Sequence, residues 1–207
     1  MKPFLTVKKE GIYEEVIDKS RFIGYCKPIE SVEEATGYIA ELKAKYKDST
    51  HVVSAYLFGE NNEVQRYSED GEPQGTSAMP IISMLKNEEI RNTIICVVRY
   101  FGGIKLGTGG LVRAYTHMAK MAMAEAVVVE IRTYSVFKAR ISYELHGKLS
   151  NFIETGGVAT IEDTEFTDVV SMSIKTKVED FKTLESQLID LCNGNINIYD
   201  YNEILGG

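Results

Sequence analysis

The sequence predicts an α+β chain of two domains, and three observations carry that prediction. From Tyr134 onward the hydrophobic pattern switches period four times, in the order strand, helix, strand, strand, helix, strand. That order over about 70 residues is the split βαβ arrangement of ferredoxin-like domains. Before it, strand-like and helix-like segments alternate differently, with an apolar strand (Thr93 to Tyr100) and a long apolar helix joined by a glycine-rich stretch. Third, the charge changes at the same place: residues 1–124 carry 16 basic and 16 acidic side chains, residues 125–207 only 7 basic against 14 acidic. The expected domains are 1–130 and 134–207.

The first domain opens with two strands. Gly11 to Asp18 alternates Ile12, Glu14 and Val16 with Tyr13, Glu15 and Ile17, and Ser20 to Ile29 carries Phe22, Ile23 and Tyr25. Ser31 followed three residues later by Glu34 marks a helix start, and Val32, Ala35, Ile39 and Leu42 repeat at helical spacing. His51 to Phe58 is a strand, Gly59 to Asn62 a turn, and Val64 to Tyr67 a hairpin partner. The segment from Ser68 to Pro80 then holds two glycines, two prolines and three carboxylates. It opens into a helix around Ile81–Leu85, which Thr76 or Ser77 would cap with Pro80 in the first turn. Thr93 to Tyr100 is apolar almost throughout and is expected at the centre of its sheet. Leu111 to Val129 is a long helix, apolar on most faces and therefore buried on several sides.

In the second domain the expected elements are Tyr134 to Ser142 (strand), Tyr143 to Thr155 (helix, closed by Gly156-Gly157), Val158 to Phe166 and Asp168 to Thr176 (hairpin), Val178 to Cys192 (helix, closed by Asn193-Gly194) and Ile196 to Ile204 (strand).

With 207 residues, 44% of them hydrophobic and 26% charged, the chain reads as globular. No apolar run approaches the roughly 20 residues of a membrane helix, and the N-terminus lacks the pattern of a secretory signal. No membrane partner and a cytoplasmic location are expected. Cys26, Cys96 and Cys192 lie far apart in apolar segments and read as buried free thiols. His51, His117 and His146 are isolated, with no second ligand at zinc-like spacing, so a metal would require distant residues to converge; no metal and no cofactor are expected.

Against this background the stretch from Arg99 to Arg113 stands out. It places Gly102, Gly103, Gly107, Gly109 and Gly110, with Thr108, among the cations Arg99, Lys105 and Arg113. It also lies in a window, residues 90–124, without one carboxylate. Glycines let a backbone approach a ligand, and amides at the head of a helix point at whatever lies in front. Arg113 stands three residues past Gly110, so its side chain leans back toward the glycines. The spacing is neither that of a P-loop nor that of a dinucleotide fingerprint. A tight turn between strand and helix is the competing explanation.

Three segments together resemble the IMPACT family: Ser20-Arg21-Phe22-Ile23-Gly24, Tyr67 to Thr76, and above all Arg99 to Tyr115. Ala78-Met79 departs from the family pattern of glycine and a basic residue before the proline, and Val53 from a cysteine two residues after the histidine. The resemblance implies an N-terminal domain like the second domain of ribosomal protein S5, with helices packed on one face of a mixed sheet. It also implies a C-terminal domain similar to the last domain of elongation factor G. Eukaryotic family members are linked to translational control, and bacterial members are thought to bind nucleic acid or act near the ribosome.

The expected function is therefore a translation-associated regulatory protein that binds RNA phosphate or a ribosome-linked protein through Arg99, Gly102, Gly103, Lys105, Gly107, Thr108, Gly109, Gly110 and Arg113. Across from these, Glu69, Asp70 and Glu72 are expected to ion-pair with Lys105 and Arg113 rather than to hold a metal. Tyr67, Tyr100, Phe101 and Tyr115 are candidates for stacking on bases or for the core, and His117 is a satisfied helix histidine or an additional phosphate contact. No nucleophile and base adjoin, so no catalytic residue is assigned. The alternatives are a phosphate- or nucleotide-binding enzyme on a fold like that of the galactokinase and homoserine kinase group, and a protein-binding adaptor. The surplus of acid in residues 125–207 argues against coating a duplex unless that acid faces away.

Overall fold

The computed structural model describes residues 3–206; the expected domain ends at residues 1, 2 and 207 lie outside them. The chain divides into two compact units, one made of Phe4–Glu130 and the other essentially of the chain from Ile131 onward.

The N-terminal unit contains strands β1 (Phe4–Val7), β2 (Gly11–Ile17), β3 (Ser20–Pro28), β4 (His51–Phe58), β5 (Val64–Ser68) and β6 (Thr93–Tyr100). Its helices are α1 (Val32–Lys45), α2 (Ala78–Asn87) and α3 (Gly107–Ala126). Five strands form a sheet in the order β2-β3-β6-β4-β5, and every pairing in it is antiparallel. Strand β6 lies at the centre, as its continuous apolar run predicts. Side chains alternate across a sheet. Ile94, Cys96 and Val98 accordingly enter one core with Ala35, Tyr38 and Leu42 of α1, while Ile95 and Val97 enter another with Ile81, Leu85, Tyr115 and Met118 of α2 and α3. Each such buried aliphatic side chain stabilises the fold by about 1.5–3 kcal/mol relative to exposure.

Two implications of the family resemblance are corrected here. The sheet is antiparallel rather than mixed, and its helices cover both faces instead of one. The physical reason lies in β3, β4 and β6, which are apolar on both sides and would leave one side wet without α1.

Helix α1 starts where the sequence predicts: the Ser31 hydroxyl accepts from the Glu34 amide at 3.0 Å, and the Glu34 carboxylate accepts from the Glu30 amide at 2.7 Å. Helix α3 does not. It begins at Gly107, four residues before the expected start, so the glycines at 107, 109 and 110 form its first turn instead of a loop ahead of it. At the other end Val128 and Val129, expected in the helix, already belong to the next strand.

The second unit follows the predicted order: β7 (Val128–Ile141), α4 (Tyr143–Gly156), β8 (Ala159–Phe166), β9 (Val170–Lys177), α5 (Val178–Leu191) and β10 (Asn197–Gly206). Its strands lie side by side as β10-β7-β9-β8, all antiparallel, which is the ferredoxin-like arrangement. Both helices pack on one face, where Leu149, Ile153, Leu184 and Leu188 meet Phe137, Ile141, Met172 and Ile174. Gly157, in the left-handed region at φ 66°, closes α4.

Candidate anion site at the head of the long helix

Arg99 stands near the end of β6, opposite Phe22 of β3 and His51 of β4. The alternation that sends Ile95 and Val97 toward α2 and α3 sends Arg99 there too, so its guanidinium is almost wholly buried, with 4% of its surface exposed. A buried guanidinium needs a counter-charge. Its Nη1 donates to Glu72 Oε1 at 2.7 Å and its Nη2 to the Ser20 hydroxyl at 3.2 Å, while Nε has no partner. The rings of Phe22 and Phe101 flank it at 5.2 and 5.5 Å. Glu72 is equally enclosed and also accepts from the Tyr115 hydroxyl at 2.6 Å; His51 Nε2 lies 3.9 Å away. Burial, and then the bond to Glu72, push the Tyr115 hydroxyl far above its ordinary pKa.

The other two acids of the segment are also used internally. Asp70 takes Lys43 of α1 at 2.5 Å through one oxygen and the Val52 amide at 2.6 Å through the other, and His51 Nδ1 donates to its carbonyl at 2.7 Å. Glu69 caps α2. Its carboxylate accepts from the Ser77 hydroxyl and from the amides of Gly75, Ser77, Ala78 and Met79. Ser77 is the N-cap residue by position, but its side chain donates to Glu69 instead of capping. Burial pushes the Glu69 carboxyl up, yet these hydrogen bonds outweigh it and hold the group below the usual carboxylate range.

The expected pairing of Glu69, Asp70 and Glu72 with Lys105 and Arg113 is thus corrected. The partners are α2's first amides, Lys43 and Arg99, and among the described residues no ion pair engages Lys105 or Arg113. Arg99, expected as a ligand-binding cation, is already neutralised by Glu72.

The glycines have distinct tasks. A Cβ on Gly102 would stand 1.9 Å from the Lys19 carbonyl oxygen, so only glycine lets this loop lie against the β2–β3 turn, where its amide donates to the Ser20 hydroxyl at 3.3 Å. Gly103 and Gly107 have φ of 86° and 70°, turning the chain into α3. Gly109 lies beneath Arg113, whose Nη1 would be 3.5 Å from a Cβ there. That is the backward lean the spacing predicts. A Cβ on Gly110 would be 3.0 Å from that of Leu106.

The head of α3 is open. Its N-cap residue is Leu106, with no side-chain hydrogen bond to the first amides and no acid in the first turn. In front lies a cavity of about 380 Å³ whose lining includes Glu72, Arg99, Phe101, Lys105, Leu106 and Thr108. Arg113 is not part of that lining; with Glu15, Asp18 and His117 it borders a neighbouring hollow of about 260 Å³ on the far side of Leu106. Lys105 and Arg113 approach the same first turn from two sides.

Tyr115 is removed from the stacking candidates because it is completely buried, edge-on to Phe22. Tyr100 donates to Asp48 at 2.9 Å, while Tyr67 and Phe101 are exposed. His117 meets Glu15 at 2.8 Å, the satisfied state of a helix histidine. Among the described residues no three His, Cys, Asp or Glu side chains are placed to hold a metal ion. Ser20, Lys43 and His51 were not singled out for this network by sequence reasoning. Ser20 opens one of the three segments that carry the family resemblance.

Fold and site define a two-unit α+β protein built around a glycine-bounded cationic turn whose neighbouring acids are internally neutralised. The chain belongs to the IMPACT family: residues 18–123 match the Impact N-terminal domain, and residues 140–195 match a domain of unknown function, DUF1949. It is 32% identical over 195 residues to the IMPACT family member YvyE of Bacillus subtilis, covering 94% of this chain and 89% of that protein. With the IMPACT family member YigZ of Escherichia coli it shares 40% identity over 103 residues, 49% of this chain and 50% of the other. A crystal structure of a hypothetical protein superposes with a TM-score of 0.61 at 24% identity, over 96% of this chain and 97% of that one, and shows the same fold. No helix among the described residues is long and apolar enough to cross a membrane.

Proposed function

We propose that this IMPACT family member is a translation-linked regulatory protein whose N-terminal unit receives an RNA phosphate at the head of α3. The observation that supports this most is the uncapped first turn from Gly107 to Gly110, with Lys105 on one side and Arg113 on the other. Unpaired amides and the positive end of the helix dipole favour an anion there. Glu72, the carboxylate in the lining of the cavity beside Lys105, is matched by Arg99 and does not cancel the field of Lys105. Glycines at 107, 109 and 110 keep side chains away from the approaching group.

The test is RNA affinity as a function of salt. Lys105→Ala and Arg113→Ala are each expected to weaken binding evenly across RNA sequences and to lower the salt slope by about one counterion. Affinities and slopes unchanged in both variants would refute the proposal. A second reading, a nucleotide held in the same place, draws on the cavity of about 380 Å³ and its apolar wall of Phe101, Leu106 and Leu111. A saturable rise in melting temperature with a Mg²⁺-nucleotide, lost in Lys105→Ala, would favour it.

A further inference from the structure

The C-terminal unit is acidic in sum, and six of its acids, Glu144, Glu154, Glu179, Asp180, Glu185 and Asp190, lie on its two helices, α4 and α5. These helices cover one face of the sheet. The register fixes what lies on the other. On β7 the side chains alternating with buried Phe137, Ala139 and Ile141 are Tyr134, Val136, Lys138 and Arg140. Directly opposite them on β9 stand Lys177, Lys175, Ser173 and Ser171, and on β10 Ile204, Asn202, Tyr199 and Asn197. Four of the seven basic residues in 125–207 therefore share one open sheet face.

Two tyrosines on this face are paired with those cations. Lys175 Nζ lies 4.6 Å from the centroid of the Tyr134 ring, and the Arg140 guanidinium 5.0 Å from that of Tyr199. Tyr199 starts on β10, yet its hydroxyl meets that of Ser171 on β9 at 2.7 Å, so its ring extends across β7. Arg140 and Lys177 are exposed, and Lys138, Lys175, Tyr134 and Tyr199 are half-buried. Carboxylates meet the face at its margins: Asp163 and Glu165 on edge strand β8, opposite Ser173 and Ser171, and Asp200 in the β10 bulge, 3.8 Å from Lys138.

We propose that this face binds single-stranded RNA, with bases stacking on Tyr134 and Tyr199 and the backbone running past Lys138, Arg140, Lys175 and Lys177. A flat sheet bearing aromatic rings accepts unstacked bases, and adjacent cations neutralise their phosphates. A duplex has its bases stacked inside and no use for the rings. An acidic peptide would match the cations and leave the tyrosines idle. The strand keeps to β10, β7 and β9, away from the acids of β8. The face is a second surface, independent of the head of α3.

The test uses the full chain and a fluorescently labelled oligouridylate of about ten nucleotides, long enough to cross one such surface. Its binding is followed by anisotropy at several salt concentrations. Tyr134→Leu with Tyr199→Leu is expected to reduce affinity about tenfold or more, with little change in salt slope. Lys138→Ala with Lys175→Ala should lower the slope by about 1.4, the single-strand value for two phosphates, and guards against misfolding of the tyrosine pair. Losses in these two pairs that persist in a Lys105→Ala background sustain the sheet face whether or not the α3 site binds. Binding within twofold of wild type in both pairs, or competition by duplex RNA or a polyglutamate peptide as effective as by the single strand, overturns the sheet face. If Lys105→Ala alone weakens binding, the α3 site stands and the sheet face falls.

Discussion

The two units solve the problem of charge in opposite ways. The N-terminal unit takes charges inside: Arg99 and Glu72 are both buried, braced by Ser20, Tyr115 and two phenylalanine rings. The C-terminal unit keeps its core apolar, with only Ser135 and Thr176 as fully buried polar residues among those described, and leaves its charges at the surface, four cations on one sheet face and six acids on the helices. An internal ion pair fixes geometry at one point, here the approach of the 69–77 segment to the head of α3. Surface charge fixes no geometry but sets what the surface attracts.

The contrast is tested most severely at the ion pair. Arg99→Met leaves Glu72 buried without a counter-charge and should cost about 3–5 kcal/mol in urea unfolding. Adding Glu72→Gln to that variant should restore part of the loss, because the uncompensated charge is gone. If Arg99→Met is neutral, the N-terminal unit does not depend on its internal pair and the comparison fails. In the C-terminal unit the matching disruption is apolar. Leu149→Ala, at a fully buried position between α4 and the sheet, should cost about 2–5 kcal/mol, with no dependence on pH across the carboxylate range.

A smaller effect, with a sharper signature, is expected at Glu69. Glu69→Ala should cost about 1–2 kcal/mol near neutral pH through loss of the α2 cap. Because the folded pKa is depressed, the wild-type advantage is complete above the ordinary carboxylate pKa of about 4.3 and disappears as pH falls through the lower folded value. Unfolding curves of wild type and variant should therefore converge in acid; a constant gap would assign the effect to packing.

Local signals made the C-terminal unit legible. Glycines and asparagine after its helices, and alternation in its strands, locate α4, β8, β9, α5 and β10 to within two residues, while β7 starts six residues ahead of the expected Tyr134. The start of α3 was not legible, since three glycines in four positions have poor helix propensity and read as loop. The first turn forms because Leu106 and Leu111 pack into the core behind it. Nor was the pairing of the acids legible. Arg99 and Glu72 are 27 residues apart, and their meeting depends on where the sheet carries β6 relative to α2. The covering of both faces was implicit: a strand as apolar as Ile94 to Val98 has no wet side, whatever the family precedent suggests.

The carboxylate of Glu69 has one more consequence. With two glycines, two prolines and three acids, the stretch from Ser68 to Pro80 has the composition of a linker a protease would cut. Yet five donors converge on that one group, and the segment is held at α2, α1 and β6 through its three acids. Amide protons at Gly75, Ser77 and Ala78 should then exchange slowly with deuterated solvent, and limited digestion should spare this segment while the cap is intact. Tension on the segment would reach α2 and α3 together, making it a strap across the N-terminal unit rather than a hinge.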